Sequence, residues 1–337
     1  MEAPSKKLNK ISLGVLYAFL SFFCVASHAK NDTPRVILGV SAKNTSVSVS
    51  PIVLKPDFKT ISQIQKNYEE KGKEVKILIV PGHEPSFGGT GFNNLWERDL
   101  NVDLGNEIKK LLEKNTHYKV YITRDKENWD PVFSSYFDGN LSKIPAWINA
   151  SRKDFQKNKG SVKKVGEKKA GVPHNTAPPG VAERLYAITK WANENSIDIV
   201  LHVHFNDYGG RVGKEKLYSG FAIYVPESKY GNSETTKHIA EYVFGRLKKQ
   251  SKVSNLPIED AGIVEDEELI AIGASNTSSA PSMLIEYAYI YENQVQNKRK
   301  RNFFIKDMAK ATYDGVEDFF KSKEVPSPVG TSGLPQS

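Results

Sequence analysis

Apolar positions along this chain alternate between two periods. The stretch "VKILIV", Val75 to Val80, is an almost unbroken apolar run that stops at a Pro-Gly pair, as expected of a strand buried on both faces. Behind it Trp96, Leu100, Leu104, Ile108 and Leu111 recur every three or four residues, the stripe of a helix with one buried face. "YKVYITR", Tyr118 to Arg124, reads as the next strand. The pattern resumes with a helix at Val181, Leu185, Ile188 and Ala192 and a strand "DIVLHVHF", Asp198 to Phe205. A strand "FAIYV" and a helix at Ile239, Val243 and Leu247 follow, then a strand "SMLIEYA" and a helix carrying Ile305, Met308, Thr312, Val316 and Phe319. Strands alternating with helices at this density predict an α/β fold, a mostly parallel twisted sheet flanked by helices.

Where the periodicity fails, domain boundaries are expected. Lys6, Lys7 and Lys10 precede an apolar run from Ile11 to about Ala26 and a small-residue stretch, the signature of an export signal over residues 1–29. Its removal leaves no stable membrane anchor. Residues 30–72, rich in Ser, Thr, Asn and Lys, read as a linker, with one alternating stretch at Ser46 to Ser50 suited to an edge strand. The main domain is expected over 73–325, and the Pro/Gly/Ser-rich tail 326–337 as disordered. Within the domain, residues 126–180 far exceed an ordinary connection and predict an inserted lid or flap.

Charge and cysteine sharpen this picture. The formal charge of +8 falls to +6 without the signal, and Arg152 to Lys169 alone carry +6. The basic character is therefore local to the insertion, and nucleic acid is not an expected partner. The single cysteine, Cys24, lies in the signal, so the mature chain needs no disulfide.

Chemistry gathers at the carboxyl ends of strands in such folds. His83 follows the first strand, Glu97 opens the next helix, His202 and His204 close "VLHVHF", and Glu286 lies near the end of "SMLIEYA". Two histidines and a carboxylate with an open fourth position form a common catalytic zinc set. Each residue also has a plainer reading. Asn94 and Glu97 have the spacing of a capping box, and loop histidines such as His117 and His174 are ordinarily solvated. The His-x-His pair is harder to set aside, because both rings point to one face of a strand and are costly to bury.

Taken in order, five blocks resemble the zinc-dependent N-acetylmuramoyl-L-alanine amidases of bacterial cell walls, those with a type-3 amidase domain. They are "VPGH…GGTG…ERDLN", "YKVYITR", "RLYAITKWANENSIDIVLHVHFND", "GFAIYV" and "APSMLIEYAYIYEN", spanning about Val75 to Phe320. The resemblance implies one Zn2+ per site held by His83, Glu97 and His204, with Glu286 as catalytic base. It also implies hydrolysis of the amide between N-acetylmuramic acid and L-alanine in peptidoglycan, by a protein of the periplasm, cell envelope or extracellular space. Two departures stand out: Glu84 replaces a glycine usual after the first ligand, and His202 replaces a small hydroxyl residue. His202 is therefore either a support to the metal shell or an alternative ligand. The basic insertion suggests attraction to anionic wall polymers. The competing reading is a non-catalytic wall-binding or regulatory protein on a degenerate amidase fold.

Overall fold

The run at Val75–Val80 is apolar throughout because it becomes an interior strand with helices on both sides. The computed structural model describes residues 58–158, 177–209 and 211–322, all within one compact unit, Pro51–Ser337. The export signal, the alternating stretch at 46–50, His174, most of the basic run and the tail 326–337 lie outside the described residues.

The chain opens with α1 (Ile61–Glu69), β1 (Val75–Pro81), a small hairpin β2 (Gly91–Phe92) and β3 (Leu95–Trp96), α2 (Glu97–Leu112) and β4 (Tyr118–Ile122). Then come α3 (Pro131–Asn140), α4 (Ile144–Asn158), α5 (Pro179–Glu194), β5 (Ile199–Asn206), β6 (Ala222–Pro226) and α6 (Ser233–Leu247). β7 (Ile263–Asp266), β8 (Ser282–Tyr289), α7 (Asn293–Gln296) and α8 (Lys298–Lys321) complete it. Six strands form one sheet in the order β4-β1-β5-β8-β6-β7. β4, β1, β5 and β8 run parallel, β6 is antiparallel to β8, and β7 is parallel to β6. The expected α/β class and mostly parallel sheet are therefore present.

Alternation along each strand sorts the core into two layers. Ile77 and Ile79 of β1, Leu201 and Val203 of β5, and Met283 and Ile285 of β8 pack with α2, α6 and α8. Leu78, Val80 and Val200 face the other way and pack with α3 and α5. Each such side chain, fully buried, contributes ~1.5–3 kcal/mol. The amino ends of β1 and β5 are tied by Asp198, which accepts from the Lys76 amide at 2.8 Å and from Lys59 Nζ.

Two boundaries differ from expectation. The segment read as linker contains α1, whose Thr60–Gln63 capping box fixes its start and whose Ile61 and Ile64 are buried in the main core. The segment read as a lid or flap begins instead as two packed helices. Asp130 caps α3 and Pro131 sits at its first position. Phe133, Phe137 and Ile144 are buried with Trp191 in the second core.

Candidate metal centre

The carboxyl ends of β1, β5 and β8 meet at one edge, and three side chains converge there. β1 ends in Pro81-Gly82, and His83 takes a left-handed backbone with φ of 67°, a conformation that costs a non-glycine residue of order 1–3 kcal/mol. Gly88 and Gly89, also at positive φ, lie against its ring: a Cβ on Gly89 would sit 3.0 Å from His83 Cδ2 and 3.2 Å from Glu97 Cβ. The glycine loop is thus what lets the first imidazole approach the helix that carries the carboxylate.

Glu97 is the first residue of α2, and its side chain does not cap the helix. Asn93 and Asn94 both adopt positive φ in the two-residue turn between β2 and β3. Trp96 is the N-cap, without a side-chain cap bond. The capping-box reading of Asn94 and Glu97 is therefore overturned, because the turn places Asn94 in the hairpin and frees Glu97 to point inward. Glu97, 4% exposed, receives His83 Nε2 at 2.9 Å on one oxygen and His204 Nδ1 at 3.0 Å on the other. The Thr90 amide also donates to it at 3.0 Å. One donor atom from each of His83, Glu97 and His204 falls within 4.8 Å of the others, and the two rings stand at 71° to each other.

The electrostatics suit a cation. Burial pushes the Glu97 carboxyl up, but the charge and hydrogen bonds of the two imidazoles outweigh it and hold the group well below the usual carboxylate range. Burial pushes His204 down, against the pull of Glu97. The ionised form of Glu97 is thus favoured, while burial works against a charge on His204, whose neutral form offers a lone pair to a metal. Two imidazoles and one carboxylate leave the fourth tetrahedral position open, so the residues present fit a divalent ion such as zinc.

Glu286 stands beside this cluster. It pairs in register with His204 across β5 and β8, and alternation puts both on the sheet face shared with Val200 and Leu284. Its Oε2 is buried with no hydrogen-bond partner. Burial, then the charges of Glu97 and Glu259, raise its carboxyl well above the ordinary range. His202 is also buried but outside the cluster: it hydrogen-bonds with the Ala271 backbone, and burial followed by the charge of His204 pushes it down to about 3. Among the described residues, the converging set is His83, Glu97 and His204, without His202. His117 packs at a tilt against Tyr68, and His238 meets Tyr242 and Phe319 edge-on, both away from this edge.

Other residues shape the site; of these, Glu84 was singled out by sequence, whereas Arg124 and Glu259 were not. Arg124, 1% exposed, donates from its guanidinium to the carbonyls of Pro81 (3.2 Å), Gly82 and Arg98 (2.9 Å), gripping both ligand-bearing segments at once. Burial lowers it to about 10. Glu84 is neutralised by Arg184 of α5, through Nε to one oxygen and Nη2 to the other at 2.8 Å. Glu259, 1% exposed, accepts from Asn206 (2.8 Å), Tyr224 (2.6 Å) and Tyr289 (2.9 Å), and fixes the end of β5 just past His204. Buried strand-end arginine was a readable signal; Glu259, in an irregular loop, offered none.

Gly82 sets the closest tolerance. A Cβ there would lie 2.2 Å from His204 Cε1 and Nε2, so Gly82→Ala is expected to displace that ring in an otherwise folded protein. Zinc affinity, read by competition with a chromophoric chelator, should fall at least roughly 10–100-fold. An unchanged affinity would show that the ring can swing aside without loss.

A mixed α/β sheet with a His-Glu-His cluster at the carboxyl edge of its parallel strands defines the class: an α/β protein with a candidate mononuclear metal site. The chain belongs to the N-acetylmuramoyl-L-alanine amidase family of type 3, whose sequence profile matches residues 77–318. It is 20% identical over 252 residues to the N-acetylmuramoyl-L-alanine amidase AmiC of Escherichia coli O6:H1, covering 74% of this chain and 54% of the relative. The chain thus spans about half the length of that curated relative. Among solved structures, it is similar to the N-acetylmuramyl-L-alanine amidase Ami1 from Mycobacterium smegmatis (TM-score 0.49, 11% identity, 74% of this chain and 98% of that one). It is likewise similar to the N-acetylmuramoyl-L-alanine amidase from Clostridium difficile 630 (TM-score 0.44, 17% identity, 74% and 99%).

Proposed function

We propose that this protein is a zinc-dependent hydrolase of the amide bond between the lactyl group of N-acetylmuramic acid and L-alanine in peptidoglycan. The observation that carries the reading is the convergence of His83, Glu97 and His204 beside Glu286, whose Oε2 is buried without a hydrogen-bond partner. His83, Glu97 and His204 would hold the ion, which when bound supplies a Lewis acid that polarises the scissile carbonyl and acidifies water.

The chain's own residues would do the rest. Glu286, its carboxyl pushed up by burial and by the charges of Glu97 and Glu259, takes a proton from the attacking water as the new C–O bond forms. As the C–N bond breaks, the same carboxyl hands that proton to the departing amine of L-alanine. Glu97, ionised between two imidazoles, keeps the rings in place, and Arg124 holds the two segments that present His83 and Glu97. The Arg184–Glu84 pair removes a free charge from the loop next to His83. Such a substrate is met outside the cytoplasm, in keeping with the export signal expected at residues 1–29.

The test is mass spectrometry of purified sacculi incubated with the protein, with zinc and with a chelator in parallel. Zinc-dependent release of peptides bearing a free amino-terminal L-alanine is expected. Intact glycopeptides after incubation with folded, zinc-loaded protein would overturn the assignment in favour of a binding-only role.

A further inference from the structure

The exposed apolar side chains of this protein are not scattered. The large hydrophobic residues that face water among the described residues are Phe87, Trp96, Val132, Val212, Leu217 and Phe303, each 43–71% exposed. All six follow the carboxyl end of a parallel strand: Phe87 and Trp96 after β1, Val132 after β4, Val212 and Leu217 after β5, and Phe303 after β8. They therefore share the edge of the molecule that carries the metal centre, and among the described residues the opposite edge has none.

The same edge holds an uncompensated positive patch. α8 opens with Lys298, Arg299, Lys300 and Arg301 and has no acidic residue in its first turn. That placement sets four cations against the positive end of a helix dipole, where acidic residues are the stabilising choice. Further along the same helix, Lys310 pairs with Asp314 and Lys321 with Glu317. Lys298, Arg299 and Lys300 are exposed and make no ion pair among the described residues. The patch is joined to the metal-centre edge through α7, where Asn93 of the hairpin donates to Gln296 at 3.2 Å. Lys216, beside Leu217, reaches over Phe92 of the same hairpin.

Cations that oppose their own helix, interspersed with exposed apolar tips, call for a partner that is both anionic and greasy. From this geometry we infer that the metal-centre edge docks peripherally on the surface of an anionic phospholipid bilayer. A glycan strand fits less well, because only Phe87, Trp96 and Phe303 offer a flat ring for a sugar to stack on, Val132, Val212 and Leu217 offer none, and the six tips lie on separate segments of the chain. A bilayer accepts such separate tips between headgroups while its phosphates attract the lysines and arginines. No helix among the described residues is long and apolar enough to cross a membrane.

The test reads local contact rather than cleavage, and so stands apart from the proposed hydrolysis. In a full-length Cys24→Ser background, Leu217→Cys is labelled with an environment-sensitive fluorophore. Lys114→Cys, at the end of α2 on the opposite edge, serves as control. Vesicles containing phosphatidylglycerol should blue-shift the label at position 217 and leave that at 114 unchanged, and pure phosphatidylcholine vesicles should do neither. Lys298→Glu, Arg299→Glu and Lys300→Glu combined should weaken the response roughly tenfold or more, and raised salt should weaken the parent's response. The triple variant should melt no lower than the parent, because glutamates suit that helix end, which separates lost docking from lost folding. No shift at 217 with anionic vesicles would overturn the inference. So would an equal shift on neutral vesicles, a shift that survives the triple substitution, or a triple variant defective only in binding isolated sacculi.

Discussion

Glu286→Gln yields a folded, zinc-loaded protein that no longer cleaves peptidoglycan. Gln keeps the size of the side chain and its place in β8 opposite His204, but it cannot take a proton from water. Loss of a positioned general base lowers turnover by about 10²–10⁴-fold, and zinc content measured by atomic absorption should equal the parent's. Loss of the metal would instead mean that Glu286 is a ligand. A second readout follows from the raised pKa. The folded state favours the neutral carboxyl, so that contribution is complete below the unfolded carboxyl's pKa and is lost as pH rises through the raised folded value. Gln imitates the neutral form at every pH. The metal-free variant should therefore melt higher than the metal-free parent at pH 8 and level with it at pH 4. Equal melting at both would show that burial of this carboxylate carries no penalty.

His204→Ala, like His83→Ala, is expected to lose zinc and with it all activity, whereas His202→Ala keeps the metal. The three rings differ in what surrounds them. His83 and His204 share the two oxygens of Glu97, while His202 lies one pleat deeper and bonds to the Ala271 backbone. Removing His204 also strips a charge-assisted hydrogen bond from a carboxylate that is 4% exposed, at a cost of about 1–3 kcal/mol in the metal-free protein. Zinc stoichiometry together with chemical unfolding of the three variants checks this. Metal loss in His202→Ala but not in His204→Ala would exchange the two roles.

Much of this architecture could be read from residue patterns, and the reasons are local. β1, β5 and β8 were legible because interior strands must be apolar on both faces, and α2, α5, α6 and α8 because each buries one stripe. His83 and His204 were legible as candidates because they lie at the carboxyl ends of such strands, and Glu97 because it opens the helix that follows β1. What escaped was structure whose burial is shared rather than self-contained. α3 and α4 carry Ser, Asn, Asp and Gly between their aromatics, so no stripe shows until α5 packs beside them. Asp130-Pro131 was a usable start signal there, as Thr60 and Gln63 were for α1. β7, "IVED", is a short strand at the edge of the sheet with partly exposed residues, and nothing in its composition demands a partner. The inward turn of Glu97 depended on Asn93 and Asn94 adopting left-handed conformations, which the spacing of Asn94 and Glu97 alone does not reveal.

The separation of the converging side chains has a consequence for folding. Glu97 and His204 stand 107 residues apart in sequence, and the chain's one cysteine lies near its amino terminus, so no covalent cross-link ties these distant segments. An ion held by the proposed ligands would clip them together as a disulfide does elsewhere, closing a long loop whose entropy otherwise favours the open chain. Resistance to heat and to proteases would then track the free zinc concentration, rising as RT ln(1 + [Zn]/Kd). Zinc supply would thereby set the lifetime of the protein as well as its rate of turnover.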